Sequence, residues 1–133
     1  MRKPLSELQL AVMQVLWQSG GATVAGVQQA LAEERPLAYS TLATVLNRLV
    51  RKGVVTHRFE GRAYRYQPAV SEEEVGTSMV RRLMENVFSG SPSDLVSHLL
   101  NARDVDTVEL DLIRELVERH KAERRRKRAC SEA

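Results

Sequence analysis

Four polar side chains recur at helical spacing near the middle of the chain: Ser40, Thr44, Asn47 and Arg51. At ~100° per residue they share one face of a helix, with Thr41, Ala43 and Arg48 beside them and Lys52 at its end. Leu42, Val45, Leu46 and Leu49 fall opposite, at i, i+3, i+4 and i+7, and define the side to be buried. The outer face holds no acid. Its small hydroxyl and amide groups could reach base edges in the ~12 Å major groove of DNA, while the cations at its far end suit phosphate oxygens. The N-terminal end of such a helix is the usual base-reading end. Solvated helix faces carry the same residue types, so this helix alone leaves both readings open. Three more arginines follow, Arg58, Arg62 and Arg65, on or beside a Gly turn, where they could lie along the flanking backbone.

Other chemistry finds little support. His57, His98 and His120 are scattered, and no His stands at ligand spacing from Cys130, the single cysteine. Neither a cofactor nor a metal site is expected. One cysteine also excludes an intrachain disulfide framework. Asp104-Val105-Asp106 has the look of a carboxylate pair, but Asp106 is better used as a helix cap. Gly20-Gly21 lacks the lysine of a phosphate loop, and no nucleophile elbow is present. An enzyme is not expected.

The elements that must position the polar face follow from local patterns. Ser6 with Gln9, Ser71 with Glu74 and Asp106 with Glu109 each have the spacing of a capping box, and apolar residues flank each pair. The first helix should span residues 6–18 and stop at Gly20-Gly21. A second should begin near Thr23, with Val24, Val27 and Leu31 inward, and close at Pro36. The third, carrying the polar face, should run from about Ser40 to before Gly53. The period then changes to two: Val55, His57 and Phe59 alternate with Thr56 and Arg58, and Tyr64 and Tyr66 alternate with Arg65 beyond Glu60-Gly61. That predicts a β-hairpin ending at Pro68, with both tyrosines as packing residues. Helices over 71–89, around 95–100 behind Ser91-Pro92, and from Asp106 onward complete the chain. Helix, helix, helix and basic hairpin is the winged-helix arrangement. The fold class expected is mainly α: an N-terminal winged helix-turn-helix with a small β-hairpin wing, then a C-terminal helical dimerisation region.

The 133 residues carry a formal net charge of +3, which conceals a segregation. Residues 1–70 hold nine basic and four acidic side chains, net +5; residues 71–118 hold four and eleven, net −7; residues 119–133 hold seven and two, net +5. A basic block beside an acidic one suits a first half that meets a polyanion and a second half held off the phosphates. Uneven surface charge without a partner is the alternative. No apolar run approaches the ~20 residues of a membrane span, and residues 1–10 lack a signal-peptide core, so a cytoplasmic protein without membrane insertion is expected.

The stretch AYSTLATVLNRL at residues 38–49, followed by Arg51-Lys52-Gly53, resembles the penicillinase-repressor (BlaI/MecI) family, which also includes copper-responsive CopY repressors. Glu7, Val12-Met13 and Leu16-Trp17 fit the same pattern, as do Asp94-Leu95-Val96 and the terminal amphipathic helix, so the resemblance extends to about Arg119. It implies a homodimeric repressor that binds a dyad-symmetric double-stranded DNA operator, and a membrane sensor-protease as a partner. Three features depart from the family, one of them the basic run at 124–128, which is not typical of its members. Cys130 alone does not supply the cysteine cluster of the copper-responsive members. At the place where β-lactam-responsive members carry a scissile Asn-Phe pair, this chain reads His98-Leu99.

A dimer is also expected from the residues themselves. Val75, Met79, Val80, Leu83, Met84, Val87 and Phe88 cover more than half the circumference of their helix, wider than the ~100° stripe that one contact needs. Packing within one chain would be the alternative. Leu112 and Leu116 of the last helix extend the proposed dimer surface. The expected domains are a winged-helix DNA-binding domain over 1–70, a dimerisation region over 71–120 and a disordered basic tail over 121–133. The tail, with its basic run at 124–128, reads as a solvated extension or as an added nonspecific DNA arm. The rival function is a winged-helix protein-interaction module, whose mark would be an apolar outer face on the third helix. RNA binding is a lesser rival, because stacking aromatics are not expected on the exposed side of the hairpin.

Overall fold

Side-chain caps open most of the helices, as their sequences require. In the computed structural model, which describes residues 4–102 and 104–132, α1 (Glu7–Ser19) begins with a complete capping box. The Ser6 hydroxyl accepts from the Gln9 N–H at 3.1 Å, and the Gln9 side chain accepts from the Ser6 N–H at 3.0 Å. Thr23 caps α2 (Val24–Ala30) by accepting from the Gly26 N–H. Helix α3 (Tyr39–Lys52) follows Ala38, which has no capping side chain, and ends at Gly53. Strands β1 (Val55–Glu60) and β2 (Ala63–Pro68) pair antiparallel around the two-residue turn Gly61-Arg62. Ser71, Ser91 and Asp106 accept first-turn N–H groups of α4 (Glu72–Val87), α5 (Pro92–Ala102) and α6 (Thr107–Glu132). Residues 1–3 and 133 of the expected end segments, and Arg103 of the acidic block, lie outside the described residues.

The chain forms two compact units, Met1–Leu83 and Met84–Ala133. The first is a winged helix. Its core joins Val12, Met13 and Leu16 of α1, Val24 and Val27 of α2 with Leu31 beyond it, and Leu42, Val45, Leu46 and Leu49 of α3; Val54, Val55 and Tyr66 at the base of the wing complete it. The four α3 residues are those that the helical period selected.

The wing is tied to the helices by backbone. Ala22 and Tyr66 exchange two hydrogen bonds, at 2.9 and 2.8 Å, so residue 22 acts as a one-residue third strand beside β2. Gly21 makes this approach possible. Its φ is +138°, and a Cβ there would stand 3.0 Å from Gln67 Cγ and 3.2 Å from the Tyr66 carbonyl oxygen. Where β2 leaves the wing, the Trp17 indole N–H donates to the Val70 carbonyl at 2.9 Å and fixes the exit toward α4.

Two expectations change. Helix α2 stops at Ala30 rather than near Pro36; Leu31 turns into the core, and residues 31–34 form turns that bring Arg35 to Glu7 at 2.6 Å. The basic segment 121–132 is not disordered but continues α6. It contains neither Gly nor Pro, and Ala, Arg, Lys and Glu are strong helix formers. In the second unit the described residues of α5 and α6 include no fully buried side chain.

Gly21→Ala is expected to lower unfolding stability by ~1–3 kcal/mol, through both the positive φ and the crowding against β2. Gly61→Ala, at φ +68° but in open space, should cost less; thermal unfolding of the two variants measures the difference.

Candidate nucleic-acid interface

Burial of Leu42, Val45, Leu46 and Leu49 turns the other side of α3 outward. Ser40, Thr41, Thr44, Asn47, Arg48 and Arg51 are exposed there, and Ala43 is half-buried. Hydrogen bonds within the domain limit what two of these groups can offer. The Thr44 hydroxyl donates to the Ser40 carbonyl at 3.0 Å, which leaves its oxygen lone pairs and methyl facing out. The Asn47 side-chain carbonyl accepts from the Tyr66 hydroxyl at 3.2 Å. Tyr66 is 4% exposed, at the wing base. Burial, with smaller contributions from Tyr39 and Tyr64, pushes its phenol above the ordinary tyrosine value and keeps it a neutral donor.

The cations do not all join this face. Arg48 and Arg51 stay exposed, with no carboxylate paired to them among the described residues. Lys52 turns away. Its ammonium donates to Gln9 Oε1 at 3.0 Å and to the Pro4 carbonyl at 3.4 Å, so it ties α3 to the start of α1. Nothing in the spacing of Lys52 distinguished it from Arg51; its partner is 43 residues away.

The hairpin register sorts the wing into two faces. Arg58 stands opposite Arg65, while His57 faces Tyr66 and Phe59 faces Tyr64. Directly paired residues share a side of the ribbon, so the arginines lie on one face and the aromatics on the other. Arg62 sits in the turn, exposed, and Arg65 is half-buried beside Gly21.

The aromatic face corrects two expectations. Tyr66 packs in the core, but Tyr64 is 47% and Phe59 60% exposed, so Tyr64 is not a buried packing residue and the wing does expose aromatics. Phe59 and Tyr64 meet edge to face with centroids 5.2 Å apart, and His57 lies 4.7 Å from Tyr64. The sequence signal for this row was the two-residue turn: once Gly61-Arg62 fixes the register, Phe59 must oppose Tyr64.

On α4, Met79, Val80, Leu83 and Val87 are exposed, whereas Val75, Met84 and Phe88 are half-buried; Leu112 and Leu116 of α6 are about half exposed, at 48% and 49%. Among the described residues no three of His, Cys, Asp and Glu gather as a metal site. No described helix is long and apolar enough to cross a membrane.

The chain is similar to known proteins. A family model described as penicillinase repressor matches residues 5–119. The transcriptional regulator BlaI of Mycobacterium tuberculosis is 38% identical over 112 residues, covering 83% of this chain and 80% of its own. The penicillinase repressor of Bacillus licheniformis is 25% identical over 117 residues, covering 88% and 91% respectively. Among solved structures, the DNA-binding domain of the repressor BlaI superposes with a TM-score of 0.49 at 32% identity, over 56% of this chain and 93% of that domain. Since the family match runs from the start of α1 through the winged helix and into α6, the chain belongs to the penicillinase repressor family.

Proposed function

We propose that the protein is a transcriptional repressor that binds a dyad-symmetric DNA operator as a homodimer. The observation that carries this reading is the outer face of α3: exposed, without acids, with small polar groups toward its N-terminal end and unpaired arginines toward its C-terminal end. Ser40, Thr41, Ala43, Thr44, Asn47, Arg48 and Arg51 would enter the major groove. Lys52 leaves the set, because its ammonium is committed to α1. The first-turn N–H groups of α3, left without a side-chain cap at Ala38, suit a phosphate. A protein-docking module would instead place apolar side chains on this face. Membership of a repressor family supports the same choice.

In the wing, Arg62 at the tip is the cation best placed for the flanking backbone, with Arg58 behind it. Dimerisation is supported by the apolar side chains of α4 and α6 that remain in solvent, among them Leu83, Val87, Leu112 and Leu116. A second copy covers them at the least cost in new surface, and its two-fold axis would set the half-sites about one helical turn, ~34 Å, or a multiple of it apart.

Selection from random duplexes with the purified full chain tests the reading. A palindrome with that spacing is the expected result, and no enriched sequence would overturn it. Arg62→Ala should weaken all duplexes alike and reduce the slope of log K against log[salt] by about 1. The double variant Leu112→Asp, Leu116→Asp should sediment as a monomer and bind a full operator no better than a half-site; a variant that stays dimeric would remove these residues from the interface.

A further inference from the structure

We propose that Asn47 reads guanine and that Tyr66 is the positioning residue that commits it to that base. The inference rests on the reading of α3 as a DNA-recognition helix. A free asparagine presents a carbonyl oxygen and an NH2 group side by side, which matches the N6 donor and N7 acceptor of adenine. Asn47 is not free. Its carbonyl accepts the Tyr66 hydroxyl at 3.2 Å, and Tyr66 is held in the core by burial and by two backbone bonds to Ala22.

The planar amide therefore turns its oxygen toward the wing base and leaves Nδ2 as its outward edge. No acceptor for that nitrogen is present among the described residues. Two N–H donors on an exposed helix face call for adjacent acceptors. Guanine supplies O6 and N7 together, whereas adenine and cytosine each present an amino group that would oppose the Asn47 donors, and thymine offers the single acceptor O4 beside its methyl group. A residue that normally favours adenine is converted into a reader of guanine by a contact from β2. The link also couples recognition helix to wing, since Tyr66 belongs to β2.

The test compares random-duplex selections for the full-length wild type, Asn47→Ala, Asn47→Asp and Tyr66→Phe. The position whose preference disappears in Asn47→Ala identifies the Asn47 contact. Guanine should exceed adenine there by about tenfold in the wild type, within the range for one specific side-chain contact. Tyr66→Phe keeps the buried ring but frees the amide, so the guanine-to-adenine ratio should fall several-fold at that position alone. Asn47→Asp still accepts from the phenol but exposes a carboxylate oxygen instead of donors, and should lose the guanine preference and at least tenfold in affinity.

Adenine at that position in the wild type would overturn the proposal, as would a Tyr66→Phe profile identical to it. A palindrome unchanged in Asn47→Ala, with only thermal stability reduced, would show that Asn47 merely satisfies the Tyr66 hydroxyl, and would defeat this inference while leaving the operator reading intact. No enrichment by the wild type would defeat both.

Discussion

Burial of one stripe of α3 is the interaction from which the rest of the first unit follows. Leu42, Leu46 and Leu49 are wholly inaccessible, and Val45 is 8% exposed. Each such side chain contributes ~1.5–3 kcal/mol on burial, and the four together fix the rotation of α3 about its own axis. That rotation decides which residues can meet a partner. Turning the helix by one residue would bury Ala43 and Leu46 unevenly and expose Leu42 and Leu49, at several kcal/mol. The polar face is thus held in place by its apolar opposite, and no ion pair of its own is needed to orient it.

The second constraint is the seam between Ala22 and Tyr66. A two-stranded hairpin is marginal by itself in water. The bonds from Ala22, the burial of Val55 and Tyr66, and the Trp17 bond at the exit hold this one to the helices at its base only. Beyond Tyr66 the ribbon outruns the core, and the side chains that continue its apolar face have nothing to cover them. Phe59 and Tyr64 are exposed for that reason. The aromatic row and the arginines across the ribbon have one cause, the register set by the Gly61-Arg62 turn.

Local patterns made much of this legible in the sequence. The α3 stripe, the caps at Ser6, Ser71 and Asp106, and the Gly turn each depend on residues within a few positions, where periodicity and capping chemistry decide the outcome. What escaped depends on distance. The tie from Lys52 to Gln9 spans 43 residues, and the Tyr66 bond to Asn47 spans 19. Neither changes any local propensity, so Lys52 resembled a surface cation and Asn47 an unconstrained amide. The exposure of Tyr64 depended on where the core ends along the strand, which alternation cannot give. The end of α2 at Ala30 was a contest between good helix formers at 32–34 and the gain from burying Leu31, and the tertiary contact won.

The basic segment 121–132 shows the opposite balance. Its composition suggested disorder because it offers nothing to a core, and indeed its described side chains are all exposed. Yet helix formation asks less than core formation. Residues 107–120 have already met the cost of nucleation, so each further residue adds a backbone hydrogen bond with nothing in the sequence to break the run. Working against this are like-charge pairs at i, i+4, Lys121 with Arg125 and Arg124 with Arg128, each worth a few tenths of a kcal/mol. Glu118 near Lys121 at 3.6 Å offsets a similar amount. Propensity and continuation therefore outweigh repulsion, and the charge that sequence composition assigned to a loose tail is carried on a rod. Lys121, Arg124, Arg125 and Arg128 then fall on one side of α6, in line with Ile113 and Val117. A disordered tail would have left those four cations without a common face, whereas the helix gives them a fixed spacing along a single stripe.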